Sequence, residues 1–420
     1  MAASTAVDTR EPLAALRSAV LAIFVFSGFF VIVEPSPYEL TFTLALLVFM
    51  ATGMSLHAAI TPMVLTLIVF NVGGLIALIP MLEDRDAVTF IAVSAYLALQ
   101  TIFFASIVTT SPLRTLETIR TAYVGAALVA SLAAIAGFLD IAGLGEMFSR
   151  YGRASGTFKD PNVLGTFLIP PAIFLFQDIV TGRRPWLRGA AFSLIVFAVF
   201  LSFSRGAWGN LAFAGLVMTF MIWNGEREAS TRLRIVAAGV IAVLGLVALI
   251  AIALSVSELR GILLERASLN QSYDLGETGR FGNQLRSLPE LMTLPLGYGP
   301  LQFRHHWPED PHNVYINAFA SYGWLGGIAY LGLIAATFGV AWKLRRVSPV
   351  LRRHYYAFWP PLLAVIIQGA QIDTDHWRHF FLLLGVVWGI HAADCRMKNA
   401  AQPVRRAASS GQVPNIRHAR

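Results

Sequence analysis

The chain has 420 residues, 56% of them apolar and only 13% charged, with a mean hydropathy of +0.63 and a formal net charge of +8. That balance excludes a soluble globular domain and a disordered chain, and it identifies a polytopic membrane protein. The apolar runs are continuous and do not alternate, which argues against a closed barrel.

Crossing a hydrocarbon core roughly 30 Å thick takes about 20 residues of helix. Windows of that kind are expected near 18–34, 38–54, 60–81, 87–110, 121–142, 162–181, 188–204, 207–224, 234–256, 313–341, 355–371 and 377–394. The predicted fold is all-α, with about twelve transmembrane helices. Arg10 and Arg17 precede the first apolar run as in a signal peptide. No small-x-small site comes before EPSPYE and further spans follow, so the expectation is an uncleaved first helix.

Nine spans within 1–256 are followed by a loop at 257–311, three spans within 312–395 and a basic tail at 396–420 expected to be disordered. In the loop, SELRGILLERASL and RFGNQLRSLPELM space apolar residues as short interfacial helices do. With both termini cytoplasmic, the inner loops hold Arg114, Arg183, Arg184, Arg188, Arg227, Arg232, Arg234, Lys343, Arg345, Arg346, Arg352 and Arg353. Most acids, including Glu83, Asp84, Glu309 and Asp310, then lie outside. The positive balance is thus a topology signal whose partners are anionic membrane lipids, and it is no argument for nucleic acid. A single cysteine, Cys395, excludes an intramolecular disulfide and a Cys-rich metal site.

Polar residues beside long apolar runs mark candidate chemistry. His312 opens the tenth span; it is either a polar interfacial residue or a general base, with Asp310 placed to orient it and Asn313 beside it. Arg205 interrupts two apolar runs at SFSRGAWGN. A boundary arginine either snorkels to headgroups or faces a partner, and its guanidinium matches phosphate oxygens in a bidentate fork. Arg280 is in the loop, where alone it reads as a solvated cation. In GTFKDPNVLG, Asp160 and Pro161 read as a helix N-cap and first-turn proline, with Lys159 and Asn162 alongside. Asp373 and Asp375 form an Asp-x-Asp pair next to His376; an acidic outer loop is the ordinary reading and a divalent metal the weaker one. LGYGP is not supported as a channel filter by the Pro295, Gln302 and Arg304 around it.

The ordered set GTFKDPN, SFSRGAW, GRFGNQL, PLGYGPLQF and HNVYINAFASYGWLGG, over roughly residues 150–390, resembles the superfamily of O-antigen ligases and of O-antigen and exopolysaccharide polymerases. The resemblance implies a bacterial inner-membrane glycosyltransferase of the C type with one large periplasmic loop. Such an enzyme moves a preassembled glycan from undecaprenyl diphosphate to a sugar hydroxyl at the periplasmic face, with inversion and without metal or other cofactor. The acceptor is lipid A core of lipopolysaccharide in the ligases and another lipid-linked repeat in the polymerases. It further implies that His312 activates the acceptor and that Arg205 and Arg280, with Lys159 alongside, hold the diphosphate. Lys159 and Asp160 depart from relatives that carry an uncharged residue before the Pro-Asn of the first motif. The competing reading is a flippase or transporter of lipid-linked sugars, against which stand the lack of repeated halves and the scarcity of mid-span charge.

Overall fold

The computed structural model describes residues 10–33, 35–225, 228–267, 276 and 279–409. α1 (Arg10–Ser27) and α2 (Pro37–Ala51) open the chain, α2 on a capping box in which Ser36 and Glu39 each bond the other's backbone. α3 (Thr61–Leu78), α4 (Arg85–Thr110), capped by Asp84, and α5 (Pro112–Phe138) follow. A short turn of helix, α6 (Gly145–Phe148), leads into two antiparallel two-residue strands, β1 (Ser149–Arg150) and β2 (Arg153–Ala154).

α7 (Pro161–Phe167) and α8 (Ile169–Val180) run end to end, interrupted next to Pro170 and Pro171, which supply no backbone donor. Then come α9 (Pro185–Leu201), α10 (Arg205–Gly225), α11 (Ala229–Ser255) and α12 (Ser257–Ala267). The chain continues through α13 (Arg280–Leu291), α14 (Phe303–His306), α15 (Val314–Leu344), α16 (Pro349–Gln368) and α17 (Arg378–Ser409).

The described residues are all-α apart from the strand pair. Among the described residues, eight helices are long and apolar enough to cross a membrane. Each of the twelve expected windows coincides with helix, but four do not reach that standard. α2 and α9 are apolar yet short, with 15 and 17 residues. α1 and α16 carry charges in their first halves, including Arg10, Glu11 and Arg17 in one and Arg352 and Arg353 in the other. α11 is apolar on every side, and only 6% of its most apolar window is buried, so its surface needs lipid for a partner.

Helix extends beyond residue 395. α17 runs through residue 396 to Ser409, helped by helix formers such as Ala, Arg, Met and Lys and by the Asp394–Lys398 pair one turn apart. Residues 410–420 lie outside the described residues.

Helix packing puts α3 along α15, α4 along α17, α10 along α16, and α1 against α2 and α5. A buried aromatic cluster holds α1, α2 and α4 together: Phe24 stacks on Phe104 at 5.4 Å and meets Phe42 at 5.2 Å. Contacts between helix ends define two polar ends of the bundle. At one, Val31 N donates to Thr157 O at 3.0 Å, Gln302 Nε2 to Asp84 Oδ2 at 3.2 Å, and Arg378 pairs with Glu39. At the other, Arg17 reaches Gly53 O at 3.0 Å, Ser348 N reaches Asp394 Oδ1 at 2.9 Å, and a cluster of arginines surrounds Asp178.

Candidate active site

The turn that follows α16 gathers the residues singled out from sequence. Arg280, the first residue of α13, donates from Nη1 to Gln371 O at 3.2 Å. One turn further along α13, Gln284 donates to Pro311 O at 2.7 Å, next to His312. Asn313 caps α15, accepting from Tyr315 N at 3.0 Å and Ile316 N at 3.3 Å, while its amide nitrogen reaches Ala370 O at 3.3 Å. Arg205 begins α10, whose Asn210 bonds Gln368, and Gly206 packs against the Gln368 amide. Arg205, Arg280 and His312 are therefore brought around one short segment, Gln368–Asp373, although they lie far apart in the chain.

The Asp-x-Asp pair works as a clamp on the first turn of α15. Asp373 accepts backbone N–H bonds from His312 and Asn313, the latter at 3.0 Å. Asp375 accepts from Asn317 Nδ2 at 3.1 Å. Residues two apart in the loop thus meet residues four apart on one helix face. Burial first, then the charges of Asp375 and Asp310, push the Asp373 carboxyl well above the usual carboxylate range. Burial opposes a charge on the His376 ring, but Asp375 at 3.4 Å outweighs it and raises the imidazole above its ordinary value. His376 also bonds Phe90 O at 3.0 Å, and its ring lies tilted against the Phe90 ring at 4.0 Å, which fixes the loop against α4.

Backbone strain coincides with two of the candidates. His312 has a φ of 42° and Phe203, two residues before Arg205, a φ of 45°. A non-glycine residue in the left-handed region costs of order 1–3 kcal/mol and persists where its surroundings impose it. At His312 those surroundings are the Asp373 clamp and the Gln284 bond to Pro311. Asp310, expected to orient His312, pairs with Arg304 at 2.9 Å.

The GYG segment is a docking element. Gly323 breaks α15 with φ 65° and ψ −172°, a conformation only glycine adopts readily. The break frees the Trp324 N–H, which donates to Pro295 O at 2.9 Å, and the Ala320 carbonyl, which accepts from Tyr298 N and Gly299 N, each at 2.9 Å. The loop thus satisfies the backbone groups that the kink releases. α13 turns its polar residues inward, Asn283 and Ser287 being fully buried, and leaves Phe281, Leu285, Leu288 and Met292 exposed. An apolar outer face on a helix beside the bundle end suits the membrane interface.

Lys159, exposed, and Asn162 form the neighbouring wall. Asp160 caps α7 through Asn162 N, as its position before Pro161 suggested. Arg153, which the motif reading missed, is buried and donates to Ser202 O at 2.8 Å and Asn162 Oδ1 at 2.8 Å. It ties the first motif to the SFSRG turn, and Gly165 of α7 lies close against Ala207 of α10. Its signal in the sequence is a cation on the side where the positive-inside pattern leaves few.

Residues 190–331 match the family model Wzy_C, described as O-antigen ligase. Over that segment the chain is similar to the O-antigen ligases. Arg205, Arg280, His312 and the Gly323 kink lie inside the matched segment, whereas Lys159, Asn162, Asp373 and Asp375 lie outside it and are brought to it by folding. No curated protein matches the chain.

Proposed function

We propose that the protein is an inverting, metal-independent glycosyltransferase of the C type with twelve transmembrane helices, at home in the bacterial inner membrane with both termini cytoplasmic. It moves a preassembled glycan from undecaprenyl diphosphate to a sugar hydroxyl at the periplasmic face, as an O-antigen ligase or a surface polysaccharide polymerase. The observation that carries this reading is the convergence on the Gln368–Asp373 turn of Arg205, Arg280 and His312, all three within the segment that matches the O-antigen ligases.

In the reaction, His312 takes the proton of the acceptor hydroxyl as that oxygen attacks the anomeric carbon. The bond from that carbon to the diphosphate oxygen breaks on the opposite face, which inverts the configuration. Undecaprenyl diphosphate leaves carrying the bonding pair, and Arg280 and Arg205, with Lys159 beside them, neutralise the charge that grows on it. Diphosphate is a competent leaving group, so the site needs cations more than a general acid. Asp373 and Asp375 serve as positioning residues through the backbone of His312 and the first turn of α15.

The test is transfer by detergent-purified protein, with EDTA present, to lipid A core and separately to a second lipid-linked glycan. A single addition to lipid A core identifies a ligase and a ladder without lipid A a polymerase. No transfer to either, with lipid-linked sugar crossing liposomes, replaces the reading with a flippase.

A further inference from the structure

At the other end of the bundle is a cavity of about 360 Å³ that the glycosyl-transfer site does not use. It lies where α5, α8, α9 and α16 meet, and five arginines line it: Arg120, Arg183, Arg184, Arg188 and Arg353. Only two carboxylates, Glu117 and Asp178, face them. Asp178 is already shared by three guanidinium groups, Arg353 at 2.8 Å, Arg120 at 3.1 Å and Arg188 at 3.4 Å, and Glu117 holds Arg353 at 2.6 Å. Among the described residues, no ion pair is recorded for the side chains of Arg183 and Arg184, both exposed on the turn into α9. Arg234 packs against that turn at Gly182 and adds a further positive charge.

We propose that this cavity binds the phosphate headgroup of an acidic phospholipid. Three positive charges in excess call for an anion, and guanidinium forks match phosphate oxygens. The rim identifies the source of that phosphate. Trp186 and Leu187 directly follow the arginine turn and are 91% and 65% exposed, which is costly in water and ordinary at the headgroup level of a bilayer. The wall formed by Phe174, Leu175 and Val124 is apolar and suits the glycerol ester region. Basic pockets between transmembrane helices are suited to such headgroups. The site is separate from the transferase centre: Arg353 and Gln368 stand at opposite ends of α16, roughly 22 Å apart at about 1.5 Å of rise per residue.

The experiment uses the full chain in neutral detergent. Thermal stabilisation and lipid retention are measured with phosphatidylglycerol, phosphatidylcholine and inorganic phosphate, for wild type and for the double variant Arg183→Gln/Arg184→Gln. Phosphatidylglycerol is expected to bind at least tenfold more tightly than phosphatidylcholine. The double variant should lose that preference, and its lipid-free melting temperature should match wild type because neither arginine has a recorded ion pair. Equal retention of the two lipids, or an unchanged preference in the variant, overturns the proposal. Full stabilisation by inorganic phosphate alone also overturns it, in favour of a soluble anion.

Discussion

His312 is the residue on which the proposed chemistry turns, and its left-handed backbone dictates how it should be tested. Alanine there would mix lost chemistry with strain, whereas asparagine tolerates that region. His312→Asn is expected to lower the transfer rate by about 10² to 10⁴-fold, the usual worth of general base catalysis, with the melting temperature unchanged. A rate within tenfold of wild type would remove the imidazole from the mechanism. Asp373 makes a pH prediction. Its folded-state pKa is raised, so its contribution to stability is full below the ordinary carboxylate pKa and is lost as pH rises through the raised value. Asparagine keeps an oxygen to accept the Asn313 N–H and cannot ionise. Melting temperatures should therefore fall more steeply with rising pH in wild type than in Asp373→Asn, and parallel curves would contradict the assignment. Arg205 and His312 were singled out from the sequence because a polar group beside an apolar span is conspicuous, whereas Arg280, a solvated cation when taken alone, was singled out only by the motif resemblance. Arg153 and Gln284 were not, because their roles come from bonds to Ser202 and Pro311, and no local pattern announces a partner so distant in the chain.

At the scale of elements, hydropathy located the helices and missed what interrupts them. Glycine is tolerated in membrane helices, so nothing in the hydropathy of α15 marks where it breaks. The structure uses Gly323 as a break that receives the Pro295–Gly299 turn. A Cβ at Gly323 would stand 2.7 Å from Pro295 O, and the backbone conformation adds strain of about 1–3 kcal/mol. Gly323→Ala should accordingly lower the melting temperature and slow transfer together, by loosening the loop that carries α13 and Arg280. Gly332→Ala, where nothing stands within 4 Å of the added carbon, is the control and should be neutral or slightly stabilising. Equal behaviour of the two variants would refute the docking role. The Asp-x-Asp pair teaches a similar lesson. Its spacing was compatible with a metal, but only the fold reveals that the two carboxylates match Asn313 and Asn317 one helical turn apart.

Over the whole molecule, charge is sorted between two ends joined by the same helices. One end assembles Arg205, Arg280 and His312 beside the apolar outer face of α13; the other holds the arginine cavity. The helical, membrane-embedded character was legible because burial in lipid demands long apolar runs. The number of spans was less so, because α2 and α9 are short and α1 and α16 carry charges in their first halves, which hydropathy alone does not resolve. The central claim is that the first end transfers glycan from a diphosphate carrier. Its most direct measurement follows purified protein in liposomes with a lipid-linked glycan and an acceptor, counting covalent product and freed undecaprenyl diphosphate together. The account predicts equal amounts of the two, with both lost in Arg280→Ala. Carrier released without covalent product, or product formed undiminished by Arg280→Ala, would contradict it.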